Sequence, residues 1–128
     1  MKWKKYNPNP MGKQVGDCTV RALSKALNMS WDDTYLEICM QGFVEKDMPS
    51  GNAVWGKYLK EKGFRKCLLP DTCPDCYTLE NFCEDHPTGM YIVALGTHVV
   101  AVVDGWYYDT WESGNEVPVY YFEKQKEE

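Results

Sequence analysis

The stretch Gly96-Thr97-His98-Val99-Val100-Ala101-Val102-Val103-Asp104-Gly105-Trp106-Tyr107-Tyr108-Asp109-Thr110-Trp111 decides the fold. Two runs rich in Val, Ala and aromatic residues flank Asp104-Gly105, and an Asp-Gly pair between such runs is a strong short-range signal for a two-residue β-hairpin turn. That turn sets the register: Val103 pairs with Trp106, Val102 with Tyr107 and Val100 with Asp109, so that His98 faces Trp111. Side chains alternate along a strand, which places His98, Val100 and Val102 on one face with Tyr107, Asp109 and Trp111. His98 and Asp109 are then diagonal neighbours, about 7–8 Å apart at Cα and within reach of a carboxylate–imidazole hydrogen bond. Asp104 is taken up by the turn.

Outward from this hairpin, residues 90–95, 117–122 and 64–69 also read as strands, with 123–128 as a frayed tail. The first half is helical instead. Val20, Leu23 and Leu27, with Ala22 and Ala26, recur at helical spacing and predict a buried helix over 18–28 with Asp17 as its N-cap. Ser30 and Asp33 open a second helix that Gly42 is expected to stop, and a third runs over 52–62 with Gly63 after it. A short helix over 78–85 ends before Pro87. Residues 1–16, with Asn7-Pro8-Asn9-Pro10 and two glycines, read as an irregular arm. Helices first and strands second predict an α+β domain with a C-terminal antiparallel sheet.

At 128 residues the chain has room for one domain, spanning 1–128. With 14 Lys and Arg against 19 Asp and Glu, its net charge of −5 argues against a nucleic-acid partner. No apolar run approaches the roughly 18–20 residues of a membrane span, which predicts no membrane association. The N-terminal stretch Met1-Lys2-Trp3-Lys4-Lys5 lacks the apolar segment of a secretory signal, so a cytoplasmic setting with reduced thiols is expected.

The chemistry points to Gln14-Val15-Gly16-Asp17-Cys18-Thr19-Val20-Arg21. Cys18 falls in the first turn of a helix, where free N–H groups and the helix dipole lower a thiol pKa and hold a developing oxyanion. Taken alone, such a cysteine is more often a small buried hydrophobe. A thiolate nucleophile needs a base, and the chain has two histidines. His86, in Asp85-His86-Pro87, reads as a solvated helix end, whereas His98 starts an apolar strand opposite Asp109.

Asp17-Cys18 opening a helix, further helices, Gly96-Thr97-His98 on a strand and Tyr108-Asp109 on the next resemble the papain-like cysteine peptidase superfamily, in particular compact bacterial branches such as double-glycine leader peptidases and NlpC/P60-type enzymes. Phage-like proteins of this shape are also similar. The resemblance covers Gln14 to about Phe122 and rests on three short motifs. It implies a papain-like fold with Cys18 as nucleophile, His98 as general base and acid, and Asp109 orienting His98. It also implies an oxyanion hole shared by Gln14 and the Cys18 N–H, a peptide or other amide as substrate, and no cofactor. Deamidation and acyl transfer are compatible with the same residues. Thr19 stands where papain has an aromatic residue after the cysteine.

Cys67, Cys73, Cys76 and Cys83 fall within 17 residues, with Cys73-Pro74-Asp75-Cys76 as a CxxC pair. Zinc would take Cys67, Cys73, Cys76 and either Cys83 or His86, but a second CxxC or CxxH is missing. A redox pair would need a thioredoxin-like context. Unligated sulfurs are the expectation, with no bound metal and at most two of them close together, as reduced thiols or an incidental disulfide. The competing class is a non-enzymatic binding module of the same fold, zinc-stabilised through this cluster. Trp3, Trp55 and Trp106 read as core, and Trp111, beside His98, as part of a substrate groove.

Overall fold

A computed structural model describes residues 2–125. The chain runs β1 (Trp3–Lys5), α1 (Cys18–Leu27), α2 (Trp31–Glu45), α3 (Asn52–Glu61), β2 (Phe64–Leu68), α4 (Leu79–Asp85), β3 (Met90–Ala94), β4 (Val99–Val103), β5 (Trp106–Asp109) and β6 (Tyr120–Lys124). The six strands form one sheet in the order β1-β5-β4-β3-β6-β2. The fold is α+β.

The central hairpin has the register read from the sequence, with Val103 opposite Trp106 and Val102 opposite Tyr107. Asp104 and Gly105 have φ of 50° and 81°, the left-handed pair that a two-residue turn of this kind requires. Alternation along β3 and β4 then divides the core. Ile92, Ala94, Val99 and Ala101 pack with Leu23, Ile38, Trp55 and Leu59 from α1, α2 and α3. Val93, Val100 and Val102 pack with Leu79, Phe82 and Cys83 of α4, together with Tyr107. Three helices thus cover one face and a short helix the other.

The sheet is mixed rather than wholly antiparallel. β1 pairs parallel to β5, with Trp3 opposite Tyr107 and Lys5 opposite Asp109. The arm is therefore regular over Trp3–Lys5, and it occupies the edge of β5 that would otherwise offer unpaired backbone groups. Strand β6 starts at Tyr120, three residues later than the pattern suggests, because Pro118 has no N–H to give to a ladder. It continues through Glu123 and Lys124, which pair with Arg65 and Phe64, so these two residues are strand and not tail. Residues 126–128 of the expected tail lie outside the described residues.

Gly42 does not stop α2, which runs to Glu45 and ends at Lys46 in the left-handed conformation. Its absent side chain serves close packing: a Cβ there would meet the Asp47 carbonyl oxygen at 2.7 Å and the Pro49 nitrogen at 3.2 Å. Gly42→Ala is expected to destabilise the protein by about 1–3 kcal/mol, since the contact is backbone and cannot swing away. Urea unfolding checks this, and an unchanged midpoint would show that the α2–α3 connection is pliable.

Candidate functional site

Cys18 begins α1, half-buried, directly after Asp17. Asp17 holds the N-cap position, but its carboxylate makes no capping bond. It accepts instead from Arg21 Nη1 at 2.5 Å and from Trp31 Nε1 at 2.9 Å, and these buried donors draw it away from the helix N–H groups. The first-turn amides of α1 are left without a side-chain cap, facing the region around the thiol.

His98 lies just before β4 and Asp109 ends β5, which places both at the same end of the antiparallel hairpin. His98 Nε2 is 2.6 Å from Asp109 Oδ2, and Nδ1 takes no part in that contact. The titration behaviour follows from these contacts. Burial pushes the Cys18 thiol up, but hydrogen bonds from His98 and the Val99 N–H, with the charges of His98 and Arg21, outweigh it and bring the thiol below its ordinary 9.0. Burial pulls His98 down, whereas its bonds to Asp109 and Cys18 raise it from 6.5 to about 9. Burial likewise opposes ionisation of Asp109, yet His98, Ser113 and the Thr110 N–H hold it below 3.8. The arrangement favours a thiolate beside an imidazolium.

Asp109 is 1% exposed and fully engaged. Its Oδ1 accepts from the Thr110 N–H at 2.8 Å and Arg21 Nη2 at 3.2 Å, and its Oδ2 from His98 and the Ser113 hydroxyl, each at 2.6 Å. Its carbonyl oxygen accepts from Trp3 Nε1 at 3.1 Å and from the Tyr6 N–H at 2.9 Å. Arg21, Ser113 and the structural roles of Asp17 and Trp3 were not foreseen as parts of this site. A signal for Arg21 is present in the chain: it interrupts the apolar run Val20-Arg21-Ala22-Leu23, three residues after Cys18 and four after Asp17. A charge on the buried stripe of a helix demands a buried counter-charge.

The other expected residues divide. Trp111, two residues beyond β5, is half-exposed and its ring centroid lies 5.4 Å from that of His98. Gln14 is exposed, in the loop leading to α1. A cavity of about 680 Å³ is lined by Asp17 and Thr19, the residues on either side of Cys18, and by Trp31 and Tyr35 of α2, whose rings stack at 4.9 Å.

Away from the site, Cys73 and Cys76 are joined in a disulfide, one of the two states expected for a close pair of sulfurs in this cluster, so the general expectation of reduced thiols fails at these two positions. The two-residue spacing within a loop brings their Cα atoms to 4.1 Å. Cys83 is buried on α4, where desolvation and the nearby Glu80 carboxylate push it up to about 12. Cys67 is half-buried on β2, whose next residue, Leu68, is solvent-exposed because this edge strand extends past the core. Among the described residues, no group of three or more His, Cys, Asp and Glu is placed to hold a metal ion. His86 is not a solvated helix end: its ring stacks on Phe82 at 3.9 Å and meets Tyr91 and Tyr121. Among the described residues no helix is long and apolar enough to cross a membrane.

Comparison of the chain with protein-family models, with curated proteins and with solved structures finds no match in any of the three.

Proposed function

We propose that the chain is a papain-like cysteine peptidase or amidase that hydrolyses an amide through Cys18, His98 and Asp109. The observation that carries this reading is a half-buried thiol at a helix N-terminus whose pKa a neighbouring imidazole lowers, that imidazole having its Nε2 2.6 Å from a buried carboxylate. The order along the chain, a helix-borne cysteine followed by histidine and aspartate on neighbouring strands, supports the papain-like assignment.

In this mechanism the Cys18 sulfur attacks the amide carbonyl carbon, forming a C–S bond while the carbonyl π electrons move onto oxygen. The Cys18 N–H, and Gln14 once drawn in from its exposed loop, stabilise that oxyanion. Collapse of the intermediate breaks the C–N bond, and His98 gives its proton to the departing amine. Water then attacks the thioester, His98 takes a proton from it, and the C–S bond breaks to release a carboxylic acid and restore the thiolate. Asp109 holds the ring through Nε2 and stabilises the imidazolium, while Trp111 borders the acyl group.

The test is alkylation by iodoacetamide near neutral pH, mapped by mass spectrometry. Cys18 should label at least about tenfold faster than Cys39, Cys67 or Cys83, given its lowered pKa and partial exposure. Equal or slower labelling of Cys18 removes the nucleophile. Hydrolysis is read from turnover of acyl-amide substrates that form a thioester on Cys18, detectable as a mass adduct absent from Cys18→Ala.

A further inference from the structure

We propose that Arg21 is a positioning residue of the site: its guanidinium, clamped between Asp17 and Asp109, keeps the Asp109 carboxylate turned toward His98. The proposal rests on the reading of Cys18, His98 and Asp109 given above and adds a member to it.

Arg21 is 6% exposed and sits on α1, one turn after Cys18. Nη1 binds Asp17 Oδ1 at 2.5 Å and Nη2 binds Asp109 Oδ1 at 3.2 Å. Of the four bonds to the Asp109 carboxylate, those from Thr110 and Ser113 come from the chain just beyond β5, and that from His98 comes from the group being oriented. The Arg21 bond alone ties the carboxylate to the helix that carries the thiol. It sets where Asp109 stands relative to Cys18, and hence where the ring between them is held.

The charges alternate along this path: Asp17 negative, Arg21 positive, Asp109 negative, His98 positive, Cys18 negative. The titratable and charged groups meeting Arg21 are Asp17 and Cys18 from the start of α1 and Asp109 from β5, with His98 beyond Asp109. From α2 the uncharged Trp31 N–H donates to Asp17, and Asp32 lines the cavity that Asp17 borders. Without Arg21, the Asp17 and Asp109 carboxylates would lose the cation that they share. A planar fork suits this position, because a lysine ammonium reaches one carboxylate but cannot bridge two in fixed geometry.

A simple structural tie between α1 and the sheet is the competing account, and Asp17→Asn separates the two. It weakens the buried Arg21–Asp17 pair, and so the anchoring of α1, while leaving Arg21 its bond to Asp109. The full chain and its Arg21→Met, Arg21→Lys and Asp17→Asn variants are compared by proton NMR of the His98 Nε2–H and by the pH profile of Cys18 alkylation with iodoacetamide. A hydrogen-bonded Nε2–H far downfield is expected in the unaltered chain and in Asp17→Asn. In Arg21→Met that resonance should be lost and the acid limb of alkylation should move up by about one pH unit, as an opposite charge near the thiolate is removed. A folded Arg21→Met with the unaltered resonance and profile overturns the proposal and leaves Arg21 a tie. Should Arg21→Met fail to fold, Arg21→Lys decides: a weakened resonance with a smaller upward shift supports the forked clamp, and behaviour equal to the unaltered chain overturns it. Slow alkylation of Cys18 in the unaltered chain would remove the nucleophile but leave the resonance test intact, so the two failures are distinct.

Discussion

Asp109→Asn should cost amide hydrolysis about three to four orders of magnitude and destabilise the fold as well. The substitution keeps the shape of the side chain but removes the charge that His98, Arg21 and Ser113 all address. One amide position becomes an N–H donor facing groups that are themselves donors, so His98 loses its orienting acceptor or Arg21 loses its second anion. Breaking a buried pair in this way costs about 3–5 kcal/mol, because the partner remains buried and uncompensated. Paired measurements of kcat/KM and urea unfolding check both effects. Asp104→Ala is the control, with a weakened turn from loss of a residue suited to positive φ and hydrolysis within a few-fold of the unaltered chain. Loss of hydrolysis in Asp104→Ala with retention in Asp109→Asn would reverse the assignment of the carboxylate.

His98→Ala has the second large effect. At pH 7 the alkylation of Cys18 should slow by about two orders of magnitude or more, the usual range for removing a positioned base. The sign follows from the opposing influences on the thiol. Burial alone raises Cys18; the bond from His98 is the largest influence against it, followed by the Val99 N–H and then the charges of His98 and Arg21. With the ring gone, only the Val99 N–H and the Arg21 charge oppose burial, and the acid limb moves to higher pH. In the unaltered chain the imidazolium itself should titrate at about 9 by NMR, losing its proton only when the pH passes well above neutrality. A profile for His98→Ala superimposable on that of the unaltered chain would show that the helix terminus and Arg21 alone sustain the thiolate.

The hairpin and the buried helix were legible in the chain because each is governed by local rules. Asp104-Gly105 selects one turn type, the turn fixes the pairing, and the pairing carries His98, Asp109 and Trp111 to one end of the sheet. The parts that escaped reading depend on distant partners. No period in Trp3-Lys4-Lys5 announces a parallel strand, since its pairing is with residues about a hundred positions later. Asp17 is a good cap by local preference, yet a guanidinium and an indole N–H from outside the first turn claim its carboxylate. Gly42 resembles a helix terminator, and only the returning chain at Asp47 and Pro49 shows that it is a point of close approach. The disulfide between Cys73 and Cys76 turns on loop geometry that spacing leaves open.

The clasp of β1 on β5 has a consequence for the order of events during synthesis. Trp3 and Tyr6 bond to the Asp109 carbonyl across a separation of more than one hundred residues, and Arg21 reaches Asp109 across 88. Cys18 leaves the ribosome before His98 and Asp109, which follow 80 and 91 residues later. Contacts of such long range form late in folding, because loop closure must precede them. A nascent chain therefore carries at position 18 a thiol without the imidazole that lowers its pKa, and the two meet only when β4 and β5 have docked. The same topology that gathers Cys18, His98 and Asp109 keeps them apart until β4 and β5 have been made and docked.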